Sequence, residues 1–279
     1  MTIFPCAKIN LGLNVVSKRS DGYHNLETVF YPIPLYDALE VHKMDHDFPS
    51  ENPCDIKLSG IMIDGADNDN LVVKAYNLIA NDFKLPRVHV HLCKRIPSQA
   101  GLGGGSSDAA YMIRLLDEKF HLNMGLAEME RYAAHLGADC AFFISSEAAF
   151  AQGIGEILEP ADGEYGNLDG YYLVLVKPDI AISTHEAYKS INPHKPEICC
   201  RDIVRRPIEE WRDLLVNDFE GPVFAAYPQL GQIKQQLYDL GALYAQMTGS
   251  GSCIFGIYKD SPDNISELFK DCFTATLKL

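Results

Sequence analysis

No apolar run in this chain of 279 residues is long enough to cross a bilayer as a helix. Basic side chains are scarce: 24 Lys and Arg face 38 Asp and Glu, for a net charge of −14. Such a chain is a poor general binder of nucleic acid or of an anionic membrane, so neither is expected as a partner. An anionic ligand would need positive potential supplied locally. None of the eight cysteines (Cys6, Cys54, Cys93, Cys140, Cys199, Cys200, Cys253 and Cys272) forms a Cys-x-x-Cys pair or lies at zinc-finger spacing. The opening "MTIFPCAKINL" lacks a basic segment followed by an apolar block, the mark of a secretory signal. The expectation is a cytoplasmic, reduced setting with most thiols acting as small buried hydrophobes. The Cys199-Cys200 pair is read as chance. Internal repeats and low-complexity tracts are missing. So is a Walker A motif, because no Gly-Lys-Ser/Thr closes the glycine cluster.

What is present is an ordinary globular composition, 47% apolar and 22% charged, with room for one large or two modest domains. "CAKINLGLNVV" alternates, with Ile9, Leu11, Leu13 and Val15 on one face and Lys8, Asn10, Gly12 and Asn14 on the other. That is a strand with one polar side. "SDGYH" reads as a turn. "LETVFYPI", "DALEVHKM", "CDIKLSG" and "RVHVHLCKRIP" read as strands, and "DNLVVKAYNLIANDF" as a helix with an Asp or Asn cap. Helices are also expected after the glycine cluster and over "LAEMERYAAHLG"; "AFFIS" and "AAFAQGIGEIL" read as strands. The second half shows a strand "GYYLVLVKP", a short helix "STHEAYKSI", a helical stretch from Ile208 to about Leu240, a hairpin "LYAQMTGSGSCIFGIY" and a last helix "NISELFKDCF". This order suggests a split βαβ lobe. The whole reads as α+β in two lobes, 1–149 and 150–279.

"PSQAGLGGGSSDAA" is the richest segment. Its Gly101-x-Gly103-x-x-Ser106 lacks the third glycine of the dinucleotide fingerprint, and no suitably placed acidic residue follows. A flexible connector is the plain reading. Against it, a strand precedes the segment and a helix follows, which gathers backbone N–H groups at the positive end of a helix dipole. Gly103-Gly104-Gly105 would let a phosphate approach the backbone. Ser106 and Ser107 add hydroxyls. Lys94 and Arg95, just upstream, are read as a solvated face.

The segment resembles the phosphate loop of the GHMP kinases. "AKINLGLNVVSKRSDGYHNLETVF" and "MTGSGSCIFGIY" resemble the N-terminal signature of one branch and the family's C-terminal glycine motif. That branch phosphorylates cytidine diphosphate methylerythritol in non-mevalonate isoprenoid biosynthesis. The resemblance runs along essentially the whole chain. It implies a two-lobed fold, with an N-terminal ATP-binding lobe and a C-terminal split-βαβ, ferredoxin-like lobe. Two departures stand out: Cys140-Ala141-Phe142-Phe143 replaces the common Val-Pro-Phe-Phe, and Gln99 replaces a small residue.

The resemblance also implies roles. Asp139, in Gly137-Ala138-Asp139, is the expected base, and Lys8 its partner cation. ATP falls to Asn70, Leu71, Pro97, Ser98, Gln99, Ala100, Gly101, Leu102, Gly103, Gly104, Gly105, Ser106 and Ser107. The acceptor falls to Asn10, Tyr23, His24, Thr184, Tyr188, Gly249, Ser250 and Gly251. Tyr23 is expected to stack on cytosine and His24 to read its polar edge. Mg²⁺ is expected with ATP, with Ser107 as its protein neighbour. A monomer or weak homodimer is expected. Another GHMP small-molecule kinase and a non-catalytic nucleotide-binding homologue stay open here. Asp-Gly-Tyr-His speaks against the first, and Lys8 with Asp139 against the second.

Overall fold

The structure is a computed structural model that describes residues 1–63, 65–161 and 167–279, apart from the side chain of His185. In chain order, the first half holds β1 (Thr2–Ile3), β2 (Cys6–Lys18), β3 (His24–Tyr36), β4 (Ala38–Lys43), β5 (Cys54–Gly60), α1 (Leu71–Asp82), β6 (Val88–Lys94), α2 (Gly104–Phe120), α3 (Leu126–Leu136) and α4 (Phe142–Ser145). Next come β7 (Ala149–Gln152), β8 (Ile157–Pro160), β9 (Tyr172–Pro178), α5 (Thr184–Lys189), α6 (Cys200–Ile203), α7 (Trp211–Leu214), α8 (Glu220–Ala226) and α9 (Pro228–Asp239). The chain closes with β10 (Tyr244–Met247), β11 (Ile254–Tyr258), α10 (Ile265–Leu268) and β12 (Cys272–Lys278). Two compact units result, each built from separated stretches.

The first unit comprises Met1–Ala7, Leu35–Ser98 and Gly103–Ser146. Its sheet has the order β1-β4-β6-β5. β5 and β6 pair in parallel, joined through α1, so this is a βαβ crossover. Strict alternation of buried Val88, Val90 and Leu92 with half-buried partners gives β6 one face on the helices. Asn70 caps α1, its Oδ1 accepting the Val72 N–H at 2.9 Å. α2 packs on α1 and α3, burying Ala109, Met112, Ile113 and Leu116. β6 leads into the glycine loop and then α2, the arrangement that offers helix N–H groups to an anion.

The second unit comprises Lys8–Pro34, Gln99–Leu102 and Glu147–Leu279. One sheet has the order β2-β3-β7-β8; the other, all antiparallel, has the order β10-β11-β9-β12. With helices between β9 and β10 and between β11 and β12, the latter is a split βαβ sheet. Its core gathers Val174, Val176, Leu230, Leu237, Ala245 and Ile254.

Three stretches depart from the sequence reading. "AFFIS" is not a strand: Phe142–Ser145 is helical, following a 3₁₀ turn at Ala138–Cys140. So short an apolar run carries no period that separates the two forms. The stretch from Ile208 to Leu240 is not one helical run. It breaks at Leu215–Asp218, where Leu13 N–H donates to Val216 O at 2.9 Å and Asn217 bridges to Leu13, and it restarts with Pro228 at a helix start. The last helix stops at Leu268, and Cys272–Lys278 is an edge strand on β9.

Candidate functional site

In the first unit, the stems of the glycine loop frame a cavity of about 200 Å³. Asn70 and Leu71 reach it from the start of α1, Pro97 and Ser98 from the upstream stem, and Gly104 and Gly105 from α2. Gly103 enters the helix at φ +72°, a left-handed conformation that suits glycine. Ser107 is fully buried, and its Oγ lacks a hydrogen-bond partner.

Lys94 also lines this cavity. It is not on a solvated face, being only 3% exposed. Its Nζ donates to Asp37 Oδ2 and, at 2.6 Å, to Asp108 Oδ2. Burial alone would push the Lys94 ammonium down, but Asp108 and Asp37 outweigh it and raise the group. Burial, reinforced by the charge of Asp37, pushes the Asp108 carboxyl up to about 7 against the pull of Lys94.

The turn bearing Asp139 packs beside the first turn of α2. A Cβ on Gly137 would sit 4.0 Å from Ser106 Oγ and 3.3 Å from Cys140 Sγ. The Cys140 thiol hydrogen-bonds Ser106, and burial pushes it up to about 11. In this chain, therefore, Cys140 adds a polar tie between the Gly-Ala-Asp turn and the glycine loop's helix.

In the second unit, the loop segment Gln99–Leu102 is gripped by the hairpin between β10 and β11. Gln99 O and Ala100 O accept the N–H groups of Ser252 and Cys253 at 3.4 and 3.2 Å. Thr248 Oγ1 lies 3.1 Å from Gly101 O and 3.2 Å from Asn10 Oδ1. Leu102 O accepts the Lys8 N–H at 3.0 Å. Lys8 is 3% exposed; its Nζ donates to Asn10 Oδ1 at 2.7 Å and lies 5.0 Å from the centre of the Phe30 ring. Asn10 Nδ2 donates in turn to Thr28 Oγ1 at 2.9 Å. The polar side of β2 is therefore an interior network.

His24 stacks on Tyr188, with ring centroids 5.1 Å apart and planes 14° from parallel. Tyr188 meets Phe219 edge-on at 4.9 Å. Thr184 Oγ1 and Ser250 Oγ are 3.0 Å apart. Tyr23 lies outside this stack, its side chain 60% exposed.

Two sequence models match the chain: GHMP kinases N terminal domain over residues 70–147 and GHMP kinases C terminal over residues 201–273. The chain is 51% identical to the 4-diphosphocytidyl-2-C-methyl-D-erythritol kinase of Bacteroides fragilis, covering 100% of both. The protein of the same name from Porphyromonas gingivalis is 45% identical over 98% of this chain and 97% of its own length.

The chain belongs to the GHMP kinases, in the 4-diphosphocytidyl-2-C-methyl-D-erythritol kinase family.

A crystal structure of a 4-(cytidine 5'-diphospho)-2C-methyl-D-erythritol kinase superposes with a TM-score of 0.80 at 30% identity, covering 100% of both chains. The mevalonate kinase of Methanococcus jannaschii matches at a TM-score of 0.67 and 14% identity, over 100% of this chain and 98% of that one, which is a likeness of fold. The two-lobed α+β fold of the GHMP kinases is thus the fold of this chain.

Around this GHMP kinase site, sequence reasoning misses Thr248, Asn217, Asp37 and Asp108. Asn217 Nδ2 donates to Met247 O at 2.7 Å and Gly249 O at 2.9 Å, while its Oδ1 accepts the Phe219 N–H at 3.0 Å. This fixes the hairpin that holds Gly249, Ser250 and Gly251. Asp37 Oδ1 accepts the N–H groups of Arg95 at 2.5 Å and Ile96 at 2.9 Å. Only Asp108 carries a local signal, through its place in Ser-Ser-Asp.

Proposed function

We propose that this GHMP kinase transfers the γ-phosphoryl group of ATP to the 2-hydroxyl of 4-diphosphocytidyl-2-C-methyl-D-erythritol. This is a step of non-mevalonate isoprenoid precursor synthesis. The observation that carries the reading is local to the first unit. The Gly-Ala-Asp turn packs against Ser106, so a carboxylate stands beside a helix start suited to phosphate.

Phosphoryl transfer asks for charge neutralisation, in-line placement and a receiver for the hydroxyl proton. The loop N–H groups from Gly103 to Ser107 take the phosphates. Asp139 accepts the proton leaving the 2-hydroxyl. Lys8, desolvated on β2, offsets the negative charge growing on that oxygen. Asn10 holds Lys8 and helps orient the acceptor. His24 and Tyr188 supply aromatic surface for the cytosine, with Tyr23, Thr184, Gly249, Ser250 and Gly251 around the acceptor.

ATP would bring Mg²⁺. Among the described residues no three His, Cys, Asp or Glu side chains gather as a metal cage. The orphaned Ser107 hydroxyl is the oxygen donor the chain offers. That suits an ion held mainly by phosphates and water, and the bound ion would neutralise phosphate charge.

The test is kinetic. General-base catalysis is worth about 10²- to 10⁴-fold, so kcat of Asp139→Asn should fall by about that much, or less if proton loss is late. Lys8→Met should lower kcat too, and the double variant should lose less than the product of the two losses. Near-normal kcat in folded Asp139→Asn removes Asp139 from the mechanism.

A further inference from the structure

The glycine loop of the first unit has two stems, the end of β6 and the start of α2. One buried cation ties them. Lys94, the last residue of β6, donates to Asp108 Oδ2 in the second turn of α2 at 2.6 Å. The same ammonium donates to Asp37, at the bend between β3 and β4. The other oxygen of Asp37 takes the N–H groups of Arg95 and Ile96, where the backbone leaves the strand. A single carboxylate therefore fixes the upstream stem, and Lys94 carries that fixation to the downstream one. Packing leaves no slack: a Cβ on Gly104 would lie 2.9 Å from Ile96 Cγ2 and 3.3 Å from Lys94 Nζ. Asp37, Lys94 and Asp108 are each exposed by 3% or less.

Burying three ionisable groups is an expensive route to stability. An apolar replacement of such a cluster is often as stable. What the cluster supplies is directional, charge-assisted bonding of fixed length. Lys94 and Asp108 also line the cavity shared by Asn70, Ser98 and Gly105.

We propose that Asp37, Lys94 and Asp108 form a charge clamp that sets the spacing of the two stems for ATP. They are positioning residues, acting through the backbone of Arg95–Ile96 and the first turns of α2. The proposal rests on the ATP reading above.

The experiment compares wild type with Lys94→Met and Asp37→Asn. The asparagine keeps the volume but leaves one acceptor oxygen for three donors. Each protein is followed by calorimetric ATP binding, steady-state kinetics with ATP and acceptor varied separately, thermal unfolding, and amide exchange at Arg95 and Ile96. Misplacement by about 1 Å can cost about 100-fold, so kcat/KM for ATP in Lys94→Met should fall by about 10- to 100-fold. KM for the acceptor should stay unchanged, and exchange at Arg95 and Ile96 should quicken. Asp37→Asn should show the same pattern more weakly, and it decides the matter if Lys94→Met does not fold. Folded variants with wild-type ATP affinity, or with equal damage to both substrates, overturn the clamp. A wild-type protein that does not bind ATP overturns the ATP reading and the clamp with it.

Discussion

Two glycines of the loop, four residues apart, should respond oppositely to alanine. Gly101 adopts φ +73°, where a residue with a Cβ costs about 1–2 kcal/mol. The added Cβ would also sit 2.0 Å from Thr248 O and 2.8 Å from its carbonyl carbon. Both are backbone atoms, so no rotamer change relieves the overlap. The loop must withdraw from the hairpin and loosen the Thr248 Oγ1 to Gly101 O bond, worth about 1 kcal/mol. Gly101→Ala should therefore cost about 2–3 kcal/mol. At about 2–4 °C per kcal/mol, Tm should drop by several degrees. Gly105 differs. A Cβ there meets only Leu71 Cδ1 at 3.7 Å, an ordinary contact, and its backbone is helical. Gly105→Ala should be neutral or gain about 0.4–1 kcal/mol by restricting the unfolded chain. Gly105 lines the nucleotide cavity, however, so its new methyl group should raise KM for ATP. The assay is urea unfolding of both variants alongside ATP kinetics. The reasoning fails if Gly101→Ala stays within about 0.5 kcal/mol of wild type, or if Gly105→Ala unfolds as readily as Gly101→Ala.

Asn217→Ala should strip Met247 O, Gly249 O and Phe219 N of their partner and cost at least about 2 kcal/mol; an unchanged urea midpoint contradicts the hub assignment. Tyr188→Leu removes a stack worth about 0.5–1.5 kcal/mol and should raise KM for the acceptor by about 2- to 12-fold, with KM for ATP unchanged; equal shifts in both would refute a cytosine-side role. The cytidine form of the acceptor should be preferred over the uridine form, because a site that bonds a polar base edge rejects the analogue that leaves those bonds unpaired; comparable kcat/KM values would end that assignment.

Much of this was legible along the chain. The alternation of Ile9, Leu11, Leu13 and Val15 does mark the buried face of β2, and Asn70 does cap α1. The strand-loop-helix order around the glycines holds as well. What pattern could not reveal is where polar residues go. Lys8, Asn10 and Asn14 alternate like a wet face yet are buried, because Thr28, Thr248 and Asp218 reach them from distant sequence. Asn10 and Thr248 are 238 residues apart, so no local window joins them. Lys94 looked like a surface cation for the same reason: its partner Asp37 lies 57 residues upstream. Short apolar runs such as "AFFIS" failed for want of length, since four or five residues fit a strand or one helical turn equally. Tyr23 was expected to provide the stacking ring, but adjacent residues at a turn point apart, and the stack seen is His24 on Tyr188.

The central claim is that the glycine loop and Asp139 serve phosphorylation of a cytidine diphosphate sugar alcohol. The most direct test is ADP release by the wild-type protein with ATP and a panel of acceptors. The panel holds 4-diphosphocytidyl-2-C-methyl-D-erythritol, mevalonate and homoserine, with ³¹P NMR of the product. The account predicts turnover with the cytidine ester alone and a new phosphate monoester signal on its methylerythritol unit. Turnover of mevalonate or homoserine at comparable kcat/KM, or ATP binding with no phosphorylated acceptor, would contradict it.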